Sequence, residues 1–133
     1  MDEQLALITD AWFGLNDRNM LDCWVYLDYE EGGCSQGFGG IGLTNYDKES
    51  RETIGTAFGC DYFLQLLNTF GVDRIEKLKG KYCFAIREEG FNGLVRGLKS
   101  MRADGNKTFL VADLIKKHGL NLFQEQRLQW NNI

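Results

Sequence analysis

Three glycines, Gly37, Gly39 and Gly42, stand in the spacing G-x-G-x-x-G within CSQGFGGIGL, residues 34–43. In a dinucleotide-binding loop this spacing lets the backbone approach a pyrophosphate. Such a loop must follow a buried parallel strand and open directly into a helix whose first amides meet the phosphates. Here the glycines run into Leu43-Thr44-Asn45-Tyr46-Asp47-Lys48-Glu49-Ser50-Arg51, which has no helical apolar stripe. Glycine inside a strand has other uses: a bulge, a sharp coil of the sheet, or close approach by another backbone or a ligand. Residues 34–43 are therefore read as a glycine-rich strand bent over a helix. Bare-backbone ligand contact at Gly37, Gly39 and Gly40 is the functional alternative.

The titratable groups are sparse in catalytic patterns. His118 is the single histidine, follows Lys116 and Lys117, and has no G-x-S-x-G before it. It reads as a solvated, cationic helix end rather than the base of a triad. Asp28, Glu30 and Glu31 form the densest acidic cluster. Oxygen ligands of this kind can hold Mg²⁺, but the simpler reading is a solvated strand end, and in a binding protein these three are the candidate partner contacts. The bases gather later, at Lys77, Lys79 and Lys81 around Gly80, then Arg87, Arg96, Lys99, Arg102 and Lys107. Arg87, Arg96 and Lys99 could share a hairpin beside Phe91, a combination of charge and stacking that suits phosphate-bearing ligands. Arg51, Lys79 and Lys81 are the candidate phosphate contacts for a ligand at the glycine strand.

The whole chain is acidic, with a sequence pI near 5.0, which argues against long duplex nucleic acid as the partner. Residues 1–60 hold eleven acids against three bases, whereas residues 61–133 hold eight acids against twelve bases. Opposite halves can compensate each other, hold a second copy head to tail, or offer the basic half to an anion. Internal compensation is the simplest of these. Cys23, Cys34, Cys60 and Cys83 lie far apart with no C-x-x-C pair, which points to reduced thiols in a cytosol rather than to zinc or disulfides. No cofactor or metal is implied. The N-terminus lacks the basic region of a secretory signal, and the longest apolar run, Cys23 to Leu27, is far too short to span a bilayer, so a cytoplasmic protein without a membrane partner is expected.

At 133 residues, 44% of them hydrophobic, the chain has the size and composition of one globular domain. Leu5 to Leu15 and Met20 to Tyr29 read as a β-hairpin turned at Asn16-Asp17-Arg18-Asn19. Leu21, Cys23, Val25, Leu27 and Tyr29 share one face, and Asp22, Trp24, Tyr26 and Asp28 the other. Thr44 to Glu52 reads as a loop or tip. From Asp61 the period becomes helical, with Phe63, Leu66, Leu67 and Phe70 on one stripe and Gly71 placed as a left-handed cap. Asp73 can cap a short second turn in which Ile75 and Leu78 face inward. Lys81 to Arg87, with Tyr82, Phe84 and Ile86 on one face, predicts a strand of a second hairpin that returns through Leu94 to Ser100. Thr108 could cap a helix over 109–118, with a strand through 109–112 as the competing reading. The tail from Leu120 fits neither period.

Gly37-Phe38-Gly39-Gly40, Ile54-Gly55-Thr56-Ala57-Phe58-Gly59, Leu66-Leu67-Asn68-Thr69-Phe70-Gly71-Val72 and Leu78-Lys79-Gly80-Lys81 together resemble a recurrent group of small phage and prophage accessory proteins of uncharacterised function. The resemblance covers roughly residues 8–87, and its motifs are fold-like rather than chemical. In that group a tryptophan usually stands where this chain has Ile75, and an aromatic where it has Ile41. The resemblance implies a stoichiometric role against a host factor and carries no catalytic residue across.

The expected fold is α+β: a twisted antiparallel β-sheet packed on one main amphipathic helix, with additional short helices. The expected function is non-enzymatic binding, as an anti-CRISPR-like inhibitor that occupies a surface of a host defence protein, its acidic half standing in for nucleic acid. The rival is a sponge for a small nucleotide immune signal, and the third reading is a hydrolase with an unrecognised site.

Overall fold

The computed structural model describes residues 1–88 and 93–120. Eight strands and two helices follow in the order β1 (Asp2–Leu15), β2 (Leu21–Tyr29), β3 (Ser35–Gly39), β4 (Thr44–Asp47), β5 (Glu52–Gly55), α1 (Ala57–Phe70), β6 (Tyr82–Arg87), β7 (Val95–Ser100), β8 (Thr108–Leu110) and α2 (Val111–Lys117). A single 3₁₀ turn, Ile75–Leu78, connects α1 to β6. Six strands form one antiparallel sheet in the order β3-β2-β1-β6-β7-β8, and β4 and β5 form a separate two-stranded ribbon. The fold is thus α+β, with the sheet wrapped over the main helix.

The first hairpin follows its period-two pattern, because Cys23, Val25, Leu27 and Tyr29 are buried on one side of β2. In β1 the alternation breaks at a bulge between Ile8 and Asp10. One extra residue there keeps Ala6 and Ile8 inward before it and Ala11 inward after it, and turns Trp12 outward opposite Trp24. The Ile8 N–H donates to Lys81 C=O and the Gly80 N–H to Ile8 C=O, both at 2.8 Å, so the irregular stretch keeps its backbone bonds.

Helix α1 begins four residues before the predicted Asp61, because the Thr56 hydroxyl accepts the Gly59 N–H at 2.9 Å and caps the first turn. The earlier start changes which stripe is buried. Phe58, Tyr62, Leu66, Thr69 and Phe70 face the core, whereas Phe63 and Leu67 are half-buried at its border. Gly71 ends the helix in the left-handed conformation, φ 65°, as expected. Tyr62 is 1% exposed and touches Phe38 of β3, Phe58 and Phe109 of β8, with ring centroids 6.4, 6.1 and 5.0 Å away. Phe38 and Phe109 also meet edge to face at 6.0 Å, although β3 and β8 lie at opposite ends of the strand order. The sheet therefore curls until its two ends approach, and a core of inward side chains fills the space between it and the helices.

Several local expectations change. The glycine strand stops at Gly39 instead of Leu43, and the stretch read as a loop over 44–52 supplies β4 and the turn into β5. The 3₁₀ turn has no side-chain cap. Asp73 instead pairs with Lys77 at 2.8 Å, while Ile75 and Leu78 are buried as predicted. Tyr82, Phe84 and Ile86 do share a face of β6, but the small Cys83 and Ala85 turn toward the core, where larger side chains from β2 and α1 take the volume. Thr108 opens the short strand β8 rather than capping a helix, and α2 begins at Val111 without a side-chain cap. Parts of the second hairpin's turn, Phe91 and the ambiguous tail lie outside the described residues.

His118 is only partly exposed. Its Nε2 lies 2.8 Å from Asp61 Oδ2, its ring packs edge-on against Phe58, and Lys117 Nζ reaches the same carboxylate oxygen at 2.8 Å. Lys117, His118 and Gln65, in that order, hold the Asp61 carboxyl well below the usual carboxylate range. This cluster fastens the end of α2 to α1. A carboxyl whose folded-state pKa is depressed stabilises the fold above its unfolded range, near ~4, and loses that contribution as the pH falls further. Asp61→Asn should therefore lower Tm at pH 7. The gap to the unaltered protein should close progressively as the pH drops below ~4, measured by thermal unfolding across pH.

Candidate functional site

Two neighbouring features collect most of the residues singled out from sequence. The first is the outer face of β1, β2 and β3, turned away from the helices. Trp12 and Trp24 are cross-strand partners there, Trp12 Nε1 donates to Tyr26 Oη at 3.1 Å, and the Trp24 and Tyr26 rings lie nearly parallel with centroids 6.1 Å apart. Tyr26 is 37% exposed. Asp22, at the same face, is buried and accepts from Trp24 Nε1 at 3.1 Å and from the Cys23 N–H at 2.9 Å, so its charge serves to orient the indole.

Asp28, Glu30 and Glu31 stand together where β2 turns toward β3, and all three are exposed. Asp28 accepts from the Ser35 hydroxyl at 2.6 Å, and the Glu30 N–H closes onto Leu5 C=O at 3.2 Å. Among the described residues no base pairs with any of the three. The proposed cationic surface of the later hairpin is different. Arg87 pairs with Asp2 at 3.4 Å, Lys99 with Glu3 at 3.5 Å and Arg96 with Glu88. Arg102 chelates Asp104 and donates to the Asn68 C=O at 3.0 Å, at the end of α1. The basic half thus spends much of its charge internally, partly on the first residues of the acidic half.

The second feature is a cavity of about 240 Å³ at the seam where β3 approaches β7 and the start of α2. Gly37, Gly39 and Gly40 line it together with Trp24, Gln36, Ile41, Val95 and Arg96. Gln36 spans the seam, accepting from Tyr29 Oη at 2.5 Å and donating to Gly93 C=O at 2.9 Å. The candidate phosphate contacts do not join it. Arg51 is at the tip of the β4–β5 ribbon, and Lys79 and Lys81 flank Gly80 beside the β1 bulge, all three exposed and none of them lining the cavity.

The glycines have a local cause. A Cβ on Gly37 would lie 2.8 Å from the Trp24 ring, and one on Gly39 would lie 2.2 Å from the Cys23 carbonyl oxygen and 2.8 Å from the indole. The indole lies directly on β3, and only bare backbone fits beneath it. Alternation along β2 shows that Trp24 faces outward, but not that its cross-strand neighbours are Gly39 and, diagonally, Gly37. The place of Arg96 at this cavity and the Asp61–Lys117–His118 cluster were likewise beyond the reach of spacing. Two of the four thiols are buried: burial, with Asp22 beside it, pushes Cys23 up to about 12, and burial does the same to Cys83, while Cys34 and Cys60 are exposed.

The two glycines should respond differently to a methyl group. Gly37→Ala meets a movable ring, so its cost of about 1–3 kcal/mol should fall by more than half in a Trp24→Leu background. Gly39→Ala meets the Cys23 carbonyl oxygen as well as the indole, so the same background should leave most of its cost in place. Urea unfolding of the two double-mutant cycles reads both outcomes.

Comparison with known proteins adds no identification, since no family model, curated protein or solved structure matches the chain.

Proposed function

We propose that this protein acts by binding rather than turnover, covering a cationic surface of a partner protein with the outer face of β1–β3 and the acidic turn beside it. One observation carries the reading: Asp28, Glu30 and Glu31 are exposed without a basic partner among the described residues, next to a face bearing Trp12, Trp24 and Tyr26. Carboxylates left unpaired in this way steer and orient a positively charged partner, and aromatic rings beside them supply desolvated contact area and a seat for arginine or lysine side chains. The engagement of His118 with Asp61 and Lys117, which leaves the one imidazole in a helix-to-helix contact, agrees with binding.

The biological setting comes from the resemblance of residues 8–87 to phage accessory proteins. A phage-encoded antagonist would meet such a surface on a host defence protein that handles nucleic acid, where clustered lysine and arginine normally receive phosphates. The acidic turn then takes the place of the phosphate backbone, in the manner of an anti-CRISPR-like inhibitor.

The triple variant Asp28→Asn, Glu30→Gln, Glu31→Gln tests this. All three side chains are exposed, so stability should stay within ~0.5 kcal/mol. Affinity for a nucleic-acid-handling defence effector should fall by about tenfold or more at low salt, and the difference should shrink as salt screens the charges. The readouts are equilibrium binding across ionic strength and phage plating on a host carrying that effector. Undiminished protection of phage by the triple variant defeats the reading.

A further inference from the structure

The bulge in β1 does more than redirect Trp12. Ile8 and Ala11 both face the core, so the two residues between them, Thr9 and Asp10, turn to the outer face, and Asp10 comes to stand directly across from Tyr26. Asp28 follows Tyr26 on the same face of β2, two residues and roughly 6.5 Å along the strand. One aromatic ring is thus flanked by a carboxylate across the ladder, about 5 Å away between Cβ atoms, and by another along it. Both carboxylates are exposed. Asp10 accepts the Ala11 N–H at 2.9 Å and Asp28 the Ser35 hydroxyl at 2.6 Å, through one oxygen each, and no base among the described residues pairs with either.

The floor between the carboxylates is aromatic. The Trp24 and Tyr26 rings lie within 10° of parallel with centroids 6.1 Å apart, and the Trp12 indole fixes the Tyr26 hydroxyl at 3.1 Å. Among the described residues no cation lies over these rings, although Arg87 and Lys99 of the same chain sit on Tyr29 and Phe84, at 4.8 and 5.8 Å from the ring centres. Near-parallel rings present flat faces in one orientation, whereas a cage for a rounded, methylated ammonium needs walls set at steep angles to one another. A flat floor with carboxylates on two sides suits a planar cation that stacks through its face and donates through its rim.

We propose that Tyr26, Trp24, Asp10 and Asp28 form a seat for an arginine side chain of the partner, an inference that rests on the binding role of the acidic face given above. The guanidinium lies flat on the Tyr26 and Trp24 rings, and its N–H donors reach the free carboxylate oxygens of Asp10 on one side and Asp28 on the other. A lysine ammonium fits less well, because it has no flat face to stack and gives up its water less readily. Asp10 thereby joins the contact residues, and the face discriminates between cations of equal charge instead of responding to net charge alone.

The test uses ¹⁵N-labelled full-length protein and three capped nonapeptides that differ only in carrying three arginines, three lysines or three trimethyllysines between glycines. Each is titrated at the same ionic strength while the indole N–H signals of Trp12 and Trp24 are followed by NMR. The arginine peptide should move both signals and bind about fivefold or more tightly than the lysine peptide. Tyr26→Leu should bring the two within about twofold, Tyr26→Phe, which keeps the ring, should retain the preference, and Asp10→Asn should weaken the arginine peptide by about threefold or more. Equal affinity for arginine and lysine overturns the seat, as does tighter binding of trimethyllysine, a preference that survives Tyr26→Leu, or indole signals that stay in place. The acidic-face reading is judged apart, by the Asp28→Asn, Glu30→Gln, Glu31→Gln variant against its effector. Equal binding of the two peptides together with loss of the effector by that variant would leave the face standing and remove the seat.

Discussion

Everything distinctive about this molecule depends on the burial of one aromatic ring. Tyr62 reaches from α1 into contact with Phe38 on one end of the sheet and Phe109 on the other. Burial pushes its phenol well above the ordinary range, so the ring stays neutral in the core. Three large rings packed at 5.0 to 6.4 Å remove apolar surface from water between the two ends of the sheet. A six-stranded sheet held at both ends by one helix has to curl. The seam and its cavity, where among the described residues β3 and β7 share no ladder, are the consequence of curling without closing.

The second constraint acts on the outside of the same strands. Trp24 is held by Asp22 and lies on the glycines of β3, so a buried carboxylate, an indole and two bare residues form one unit across two strands. Each component looks ordinary or misleading in isolation. The glycines imitate a nucleotide loop, and Asp22 imitates a member of an acidic surface. Together they set the orientation of an aromatic face and deprive the edge beside it of side chains.

Charge follows the same economy. Asp2 and Glu3 at the start of β1 neutralise Arg87 and Lys99 across β6 and β7, and Glu88 takes Arg96. Exposed pairs of this kind contribute little stability each, but they decide what net charge a surface presents. The later hairpin is largely silenced, and the turn after β2 keeps its negative charge. The two halves compensate through Asp2, Glu3 and Glu88, while Asp28, Glu30 and Glu31 have no basic partner among the described residues.

The sequence alone determined the elements with clean periods: the β1–β2 hairpin, the buried face of β2, the helix ending at Gly71, the inward Ile75 and Leu78, and the antiparallel α+β class. These follow from local rules, because alternation, a 3.6-residue stripe and a left-handed cap depend on neighbours close along the chain. Where local signals compete, the pattern alone misleads. The stripe at Phe63 and Leu67 gave way to Phe58 and Tyr62 once Thr56 started the helix earlier, and the polar ribbon β4–β5 passed for a loop. The acidic turn at Asp28, Glu30 and Glu31 was legible as a cluster, but its freedom from basic partners was not. Only the tertiary structure decided that Trp24 covers Gly37 and Gly39, that Asp61 holds His118, that Arg96 rather than Arg51, Lys79 or Lys81 borders the glycine cavity, and that β3 ends beside β7. Each of these joins residues distant along the chain, and what brings them together is the packing of one curled sheet around one helix, which no local pattern encodes.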